Sequence, residues 1–163
     1  MRKLLSNGLA VVAGVVSIPA SGIHTSSHKP ATADHRNEPA PDHRLTCLRN
    51  FFEQSNCPAA VLSPVFLEAS DRYDLDWRLL PSLSFVESTG GKAARNNNLF
   101  GWDSGRAAFS SAAAGIHSVA SSLAHSSLYR DKDVDGILKT YNPSVGYARK
   151  VKDVMRRIAP VAD

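Results

Sequence analysis

A chain of 163 residues with 43% hydrophobic side chains is long enough to bury one substantial core after any leader is removed. It carries 19 Lys and Arg against 15 Asp and Glu; Arg2 and Lys3 lie in the leader, and without them the balance is 17 against 15, a net +2. So small an excess leaves no electrostatic footprint for nucleic acid, and that partner class is excluded.

Residues 1–20 have the pattern of a secretory signal. Arg2 and Lys3 precede the apolar run LAVVAGVVSI, and Pro19-Ala20-Ser21 supplies a break with small side chains. Cleavage after Ala20 and export, to the periplasm or the cell exterior, are expected. The competing reading is an uncleaved anchor, although the run is short for a spanning helix. Residues 21–44, SGIHTSSHKPATADHRNEPAPDHR, hold one large aliphatic side chain, Ile23, among polar residues and prolines. Such a segment buries too little apolar area to offset its ordering entropy and is expected to be a flexible tether. Its histidines, His24, His28, His35 and His43, fit no structural zinc spacing and have no cysteine among them, so no metal is expected.

Residues 45–163 are expected to form one mostly α domain. Cys47 and Cys57 are the only cysteines, and an even count after a signal favours a disulfide over two free thiols. Inside one continuous helix the two sulfurs would sit about 15 Å apart. The helix begun by LRNFF must therefore end near Ser55-Asn56 for a bridge to close. Ser63-Pro64 reads as the next helix start, a capping hydroxyl followed by proline at the first helical position, with Phe66, Ala69 and Tyr73 on one face. Asp76 is placed to cap the helix WRLLPSLSFVES, in which Pro81 marks a kink or a late start. Ile116, Val119, Ala120 and Leu123 make an apolar stripe at helical spacing, as do Tyr147, Val151, Val154, Met155 and Ile158. A shorter helix is expected from Val134 to Lys139, capped by Asp133. No alternating stretch supports a sheet, and a small hairpin around Gly101 to Phe109 is the most that is expected. His117 and His125 have no carboxylate at a suggestive spacing and read as exposed or structurally satisfied.

The chemistry concentrates in SFVESTGGKAARNNNLFGWDSG, residues 84–105. Glu87 closes an apolar run, with Leu83 one turn back and Phe85 and Val86 just before it. A carboxyl beside apolar groups resists ionisation, which suits a general acid that must give a proton to a glycosidic oxygen. The bland alternative is an exposed glutamate at a helix end. The loop that follows, RNNNLFGW, joins amides to two aromatic rings. Amides hydrogen-bond sugar hydroxyls and acetamido groups, and aromatic faces stack on pyranose rings. The same loop also reads as an Asn-rich turn with two buried aromatics and no ligand.

FVES, then NNNLFGW, then YNPSVGYARKV resemble the peptidoglycan β-N-acetylglucosaminidase family, the mannosyl-glycoprotein endo-β-N-acetylglucosaminidase-like domains of the lysozyme-like superfamily. The likeness spans roughly residues 63–158. It implies a lysozyme-like helical domain, a hydrolase that cuts cell-wall peptidoglycan, and Glu87 as the catalytic acid. It also implies that Asn97, Asn98, Phe100 and Trp102 line the glycan cleft and that Tyr141 and Tyr147 border it. This chain departs from the family in two places. Ser144 stands where members often have an aspartate, and the region after LFG is short and offers only Asp103 as a second carboxylate. Asp103 is the candidate for positioning water or stabilising an oxocarbenium-like centre, against the reading of an exposed turn aspartate. Helical lytic transglycosylases share the glutamate but follow it with a GLMQ-like motif, where this chain has NLFGW. A lytic transglycosylase and a non-catalytic peptidoglycan-binding module are the alternatives. The implied partner is the peptidoglycan glycan strand, met by a monomer with no cofactor and no metal.

Overall fold

Short polar caps and prolines set where the helices begin. The computed structural model describes residues 42–160. The expected signal at 1–20 and nearly all of the expected tether, with His24, His28 and His35, lie outside the described residues. Asp42 accepts a hydrogen bond from the Arg44 N–H at 2.8 Å and opens α1 (His43–Gln54), two residues before the expected domain start. A 3-10 turn (Pro58–Leu62) leads into α2 (Ser63–Arg72), which has Pro64 in its first turn as expected. Asp76 bonds the Arg78 N–H at 2.9 Å ahead of α3 (Leu79–Ser88). Pro81 therefore sits in the first turn of α3, where its missing N–H costs nothing, so the late start is the outcome. Ser111 caps α4 (Ala112–His125) and Asp133 caps α5 (Val134–Tyr141), each side chain accepting from a backbone N–H of the first turn. Gly146 precedes α6 (Tyr147–Ile158).

The fold is mostly α, and no strand forms among the described residues. The stripes read from the sequence are the core. Ile116, Val119, Ala120 and Leu123 on α4 are buried, and so are Tyr147, Val151, Val154, Met155 and Ile158 on α6. α3 buries Leu79, Leu80 and Leu83 and packs chiefly on α6, while α2 bears on α1 and α4. Phe51, Phe52, Phe66 and Phe85 join these layers, with Phe51 edge-on to Phe85 at 5.0 Å and Phe52 stacked on Phe66 at 5.7 Å. Emptying one such position, Leu83→Ala for example, would cost about 2–5 kcal/mol. No described helix is long and apolar enough to cross a membrane.

One expectation needs correction, and one upper limit is not reached. The Cys47–Cys57 bridge is absent and both residues are free thiols. The helix does end at Ser55-Asn56, with Asn56 at φ 50° and the Cys57 N–H bonded to Phe52 O at 2.8 Å. Cys47, however, lies two turns earlier beside His43, with Sγ 3.7 Å from both ring nitrogens, whereas Cys57 faces inward toward Gly90 and Phe52. The helix separates the sulfurs along its axis and the turn does not return the chain to Cys47. Nor is there a hairpin from Gly101 to Phe109. Gly101, Asp103, Ser104 and Gly105 all have positive φ, so the chain coils through successive turns, and the only bridge described here is an isolated one between Arg95 and Asn98.

His117 and His125 both pack edge-on against Tyr73, and His125 Nδ1 lies 3.1 Å from Ser121 O. His43 is exposed on the first turn of α1. No cluster of three His, Cys, Asp or Glu side chains suited to a metal occurs among the described residues.

Candidate active site

The end of α3 is built to hold a loop against it. Thr89 turns left-handed (φ 52°, ψ 51°), and the Thr89 and Gly90 N–H groups bond back to Phe85 O and Ser84 O. A β-branched residue in that conformation is strained, so its surroundings must enforce it. Gly90 lies so close to Cys57 that a Cβ there would come within 2.8 Å of the Cys57 Cβ. Buried Ser88 then ties helix to loop. Its hydroxyl donates to Leu99 O at 2.8 Å, with Ser84 O at 3.1 Å, and accepts from the Gly91 N–H at 3.0 Å.

That tie brings the chain over Glu87. Half-buried Glu87 lines a cleft of about 550 Å³ together with Trp102, Asp103, Tyr129, Tyr141 and Asn142. The Tyr147 hydroxyl donates to Glu87 Oε1 at 2.5 Å, a short hydrogen bond. The second oxygen, Oε2, faces Gly101, where a Cβ would stand 3.3 Å away; Gly101 also has φ +58°. With Oε1 already engaged, a proton carried by this carboxyl sits on Oε2, toward the loop.

The aromatic groups form a continuous wall. Tyr141 stacks on Tyr147 with centroids 6.0 Å apart and an interplanar angle of 7°. Trp102 lies 5.8 Å from Tyr141 and 6.1 Å from Tyr129. The Tyr141 hydroxyl donates to Phe100 O at 2.6 Å, which pins the loop to α5. Burial pushes the Tyr147 phenol far above its usual pKa, and its hydrogen bond to Glu87 and the charge there act in the same direction. Tyr141 is raised as well, by burial first and then by the Glu87 charge, and burial raises Tyr129. All three phenols stay neutral near neutral pH, and Tyr141 and Tyr147 act as donors.

The sequence-predicted residues divide into two groups. Glu87, Trp102, Asp103 and Tyr141 meet at the one cleft, and Tyr147 touches Glu87 from behind. Asn97, Asn98 and Phe100 do other work. The Asn97 amide donates to Phe109 O at 2.9 Å, and the residue borders a separate cavity beside Pro58 and Ala112. Asn98 is 4% exposed and its amide is fully committed: it donates to Trp102 O and Ala107 O and accepts from the Trp102 N–H at 2.9 Å. Phe100 lines the cleft but is 1% exposed, so it offers no open ring face for stacking. Asp103 is exposed at the cleft mouth and paired with Arg106 at 2.7 Å, a partner that holds its carboxyl below the usual range.

Sequence reasoning missed Ser88, Gly101, Tyr129 and Arg95. Ser88 stood in the quoted FVES, and its position one residue past the glutamate was the available signal. Tyr129 lay in a polar stretch that showed no helical stripe. Arg95 lines a smaller chamber of about 130 Å³ on the other side of Gly101, which also reaches Glu87. No protein-family model, curated protein or solved structure shows a significant match to this chain.

Proposed function

We propose that the chain is an exported enzyme that cleaves the glycan strands of peptidoglycan, with Glu87 as its general acid. The observation that supports this most is a single carboxyl, fixed by Tyr147 at 2.5 Å, on the wall of an aromatic cleft of about 550 Å³. Trp102, half exposed and flanked by Tyr129 and Tyr141, offers the apolar face that a pyranose ring takes. Glu87 Oε2 gives its proton to the glycosidic oxygen as the C1–O bond breaks and charge develops on the sugar ring. The departing sugar leaves as a neutral alcohol, and Glu87 is left as a carboxylate that accepts a proton from the group attacking C1. In hydrolysis that group is water. Asp103 is the carboxyl placed to orient it, from the cleft mouth.

A second reading is favoured by the Asp103–Arg106 pair, which leaves Glu87 as the one unpaired carboxyl lining the cleft. With one carboxyl, a hydroxyl of the same sugar attacks C1, and the product carries an anhydro end. Substrate assistance by the sugar's acetamido group is the equivalent route to hydrolysis.

Incubation with purified peptidoglycan sacculi tests the reading. The wild-type protein should release soluble muropeptides, and Glu87→Gln should lower release about a hundredfold or more while keeping its fold. Mass spectra of the products separate hydrolysed from anhydro ends. Binding to sacculi without release would make this a binding module, and a Glu87→Gln variant with more than about a tenth of wild-type turnover would remove Glu87 as the acid.

A further inference from the structure

We infer that the smaller chamber beside Glu87 is a carboxylate subsite, in which Arg95 grips an acidic substituent of the glycan next to the bond being cut. The inference rests on the glycan-cleaving reading above. The two chambers share Glu87 and Gly101, so a group seated in the smaller one lies next to the reacting acid. Its walls include Ser88, Ala93, Arg95 and Asn98. The Ser88 hydroxyl is taken by Leu99 O and Gly91 N, and the Asn98 amide by Trp102 and Ala107. Apart from the acid Glu87 itself, Arg95 is thus the one side chain in that wall with donors to give.

Its situation differs from that of most arginines in the fold; among the described residues Arg49 and Arg149 also lack a partner, but of the three only Arg95 lines this chamber. Arg44, Arg78 and Arg106 each face a carboxylate, and Arg157 lies over the rings of Phe51 and Phe85. Among the described residues Arg95 has neither kind of partner. Its backbone is nevertheless fixed, by the bridge to Asn98 with the Asn98 N–H on Arg95 O at 2.9 Å. A guanidinium on an anchored backbone, beside a small chamber, suits a planar anion that it can hold through two parallel hydrogen bonds. The chamber is small against the main cleft, which fits a carboxylate on a short branch and not a further ring in the strand. The ligand class is therefore a glycan whose sugars bear carboxylate branches, in preference to a neutral one.

The test compares peptide-free peptidoglycan strands, whose short sugar branches end in free carboxylates, with the same strands after those carboxyls have been converted to carboxamides. For the wild-type protein, amidation should lower kcat/KM about tenfold, mostly through KM, as expected for loss of one exposed charge-assisted contact. Arg95→Gln should show that loss on native strands and no further loss on amidated ones, while Arg95→Lys should recover part of it. Melting temperatures of both variants should match the wild type, because the Arg95 side chain supports no described contact. Wild-type cleavage of both strands at equal rates, or equal sensitivity to amidation in Arg95→Gln, would overturn the subsite and leave the enzyme. Failure of the wild-type protein to cleave or bind either strand would overturn both.

Discussion

Replacing Tyr147 by Phe removes one oxygen and leaves the ring, so it isolates the hydroxyl that holds Glu87. Tyr147 is 7% exposed and stacked on Tyr141, and a phenylalanine keeps that packing. What goes is a 2.5 Å hydrogen bond to Glu87 Oε1. A hydrogen bond to a charged partner contributes about 1.5–3 kcal/mol. The stability loss should fall at or below the low end, near 1 kcal/mol, because half-buried Glu87 opens onto the cleft and water can replace the donor. Catalysis should suffer more. Without the donor, Oε1 and Oε2 become equivalent, and the carboxyl can rotate away from the direction that points Oε2 at the loop. A loss of about 1.5–3 kcal/mol in the transition state corresponds to roughly 10- to 150-fold in kcat. Steady-state kinetics on soluble glycan strands reads this directly: kcat should fall at least tenfold while KM changes less than about threefold. Tyr141→Phe is the comparison that loosens the loop instead, since that hydroxyl bonds Phe100 O and not Glu87. A Tyr147→Phe enzyme with kcat within twofold of wild type would refute the positioning argument. So would a loss confined to KM.

Other perturbations follow from the same contacts. Gly101→Ala puts a Cβ 3.3 Å from Glu87 Oε2 at φ +58°, so kcat should fall about tenfold or more, with a stability cost of about 1–2 kcal/mol measured by urea unfolding. Ser88→Ala leaves Leu99 O and the Gly91 N–H without their buried partner, and the unfolding free energy should fall by about 1–3 kcal/mol. The phenols of Tyr129, Tyr141 and Tyr147 are raised above 10.0, so their contribution to stability is full below that value and is lost as pH climbs beyond it. Unfolding at increasing alkalinity should show the decline, and Tyr147→Phe should show less of it. Thiol titration of native protein should find two free sulfhydryls, half-buried Cys47 reacting before Cys57, whose thiol burial pushes up. A single slow class, or none, would contradict the two thiol environments.

The helices were legible because their evidence is periodic. The stripes on α4 and α6 are buried as the spacing requires, and Pro64, Pro81 and Asp133 mark real starts; Ser63 does not cap as expected, being itself the first helical residue with its hydroxyl donating to Ala60 O. The site was legible only in part. Glu87 could be singled out because it is the lone acid between Asp76 and Asp103. Which neighbours face it depends on turns, and turns are read poorly from residue type. An Asn-rich loop can present its amides to a ligand or consume them on its own backbone. Asn98 does the second, because both its donors and its acceptor find partners within nine residues along the chain. The disulfide expectation failed for a similar reason. The end of α1 was placed correctly, but the direction in which Cys57 points is set by the distant Gly90 turn, which no local pattern encodes.

The same consumption of polar groups explains how so short a loop can hold the proposed catalytic geometry. From Gly90 to Gly105 the chain has no helix and no strand, and it passes repeatedly through left-handed residues. Such a segment would ordinarily be mobile, since few backbone bonds of its own restrain it. Here side chains supply the restraint from three directions. Ser88 holds Leu99 O from α3, Tyr141 holds Phe100 O from α5, and Asn98 clamps Trp102 and Ala107 from within. These bonds bracket Gly101, which faces Glu87 Oε2, so the loop cannot shift there without breaking at least one of them. Tyr147, from α6, fixes the other oxygen of the same carboxyl. The acid is thus held between a rigid donor and a braced loop, and the amides that seemed to await a sugar are what brace it. On the proposed function, substrate recognition falls to the groups left open: the half-buried Trp102, the tyrosines behind it, and the guanidinium of Arg95 across Gly101.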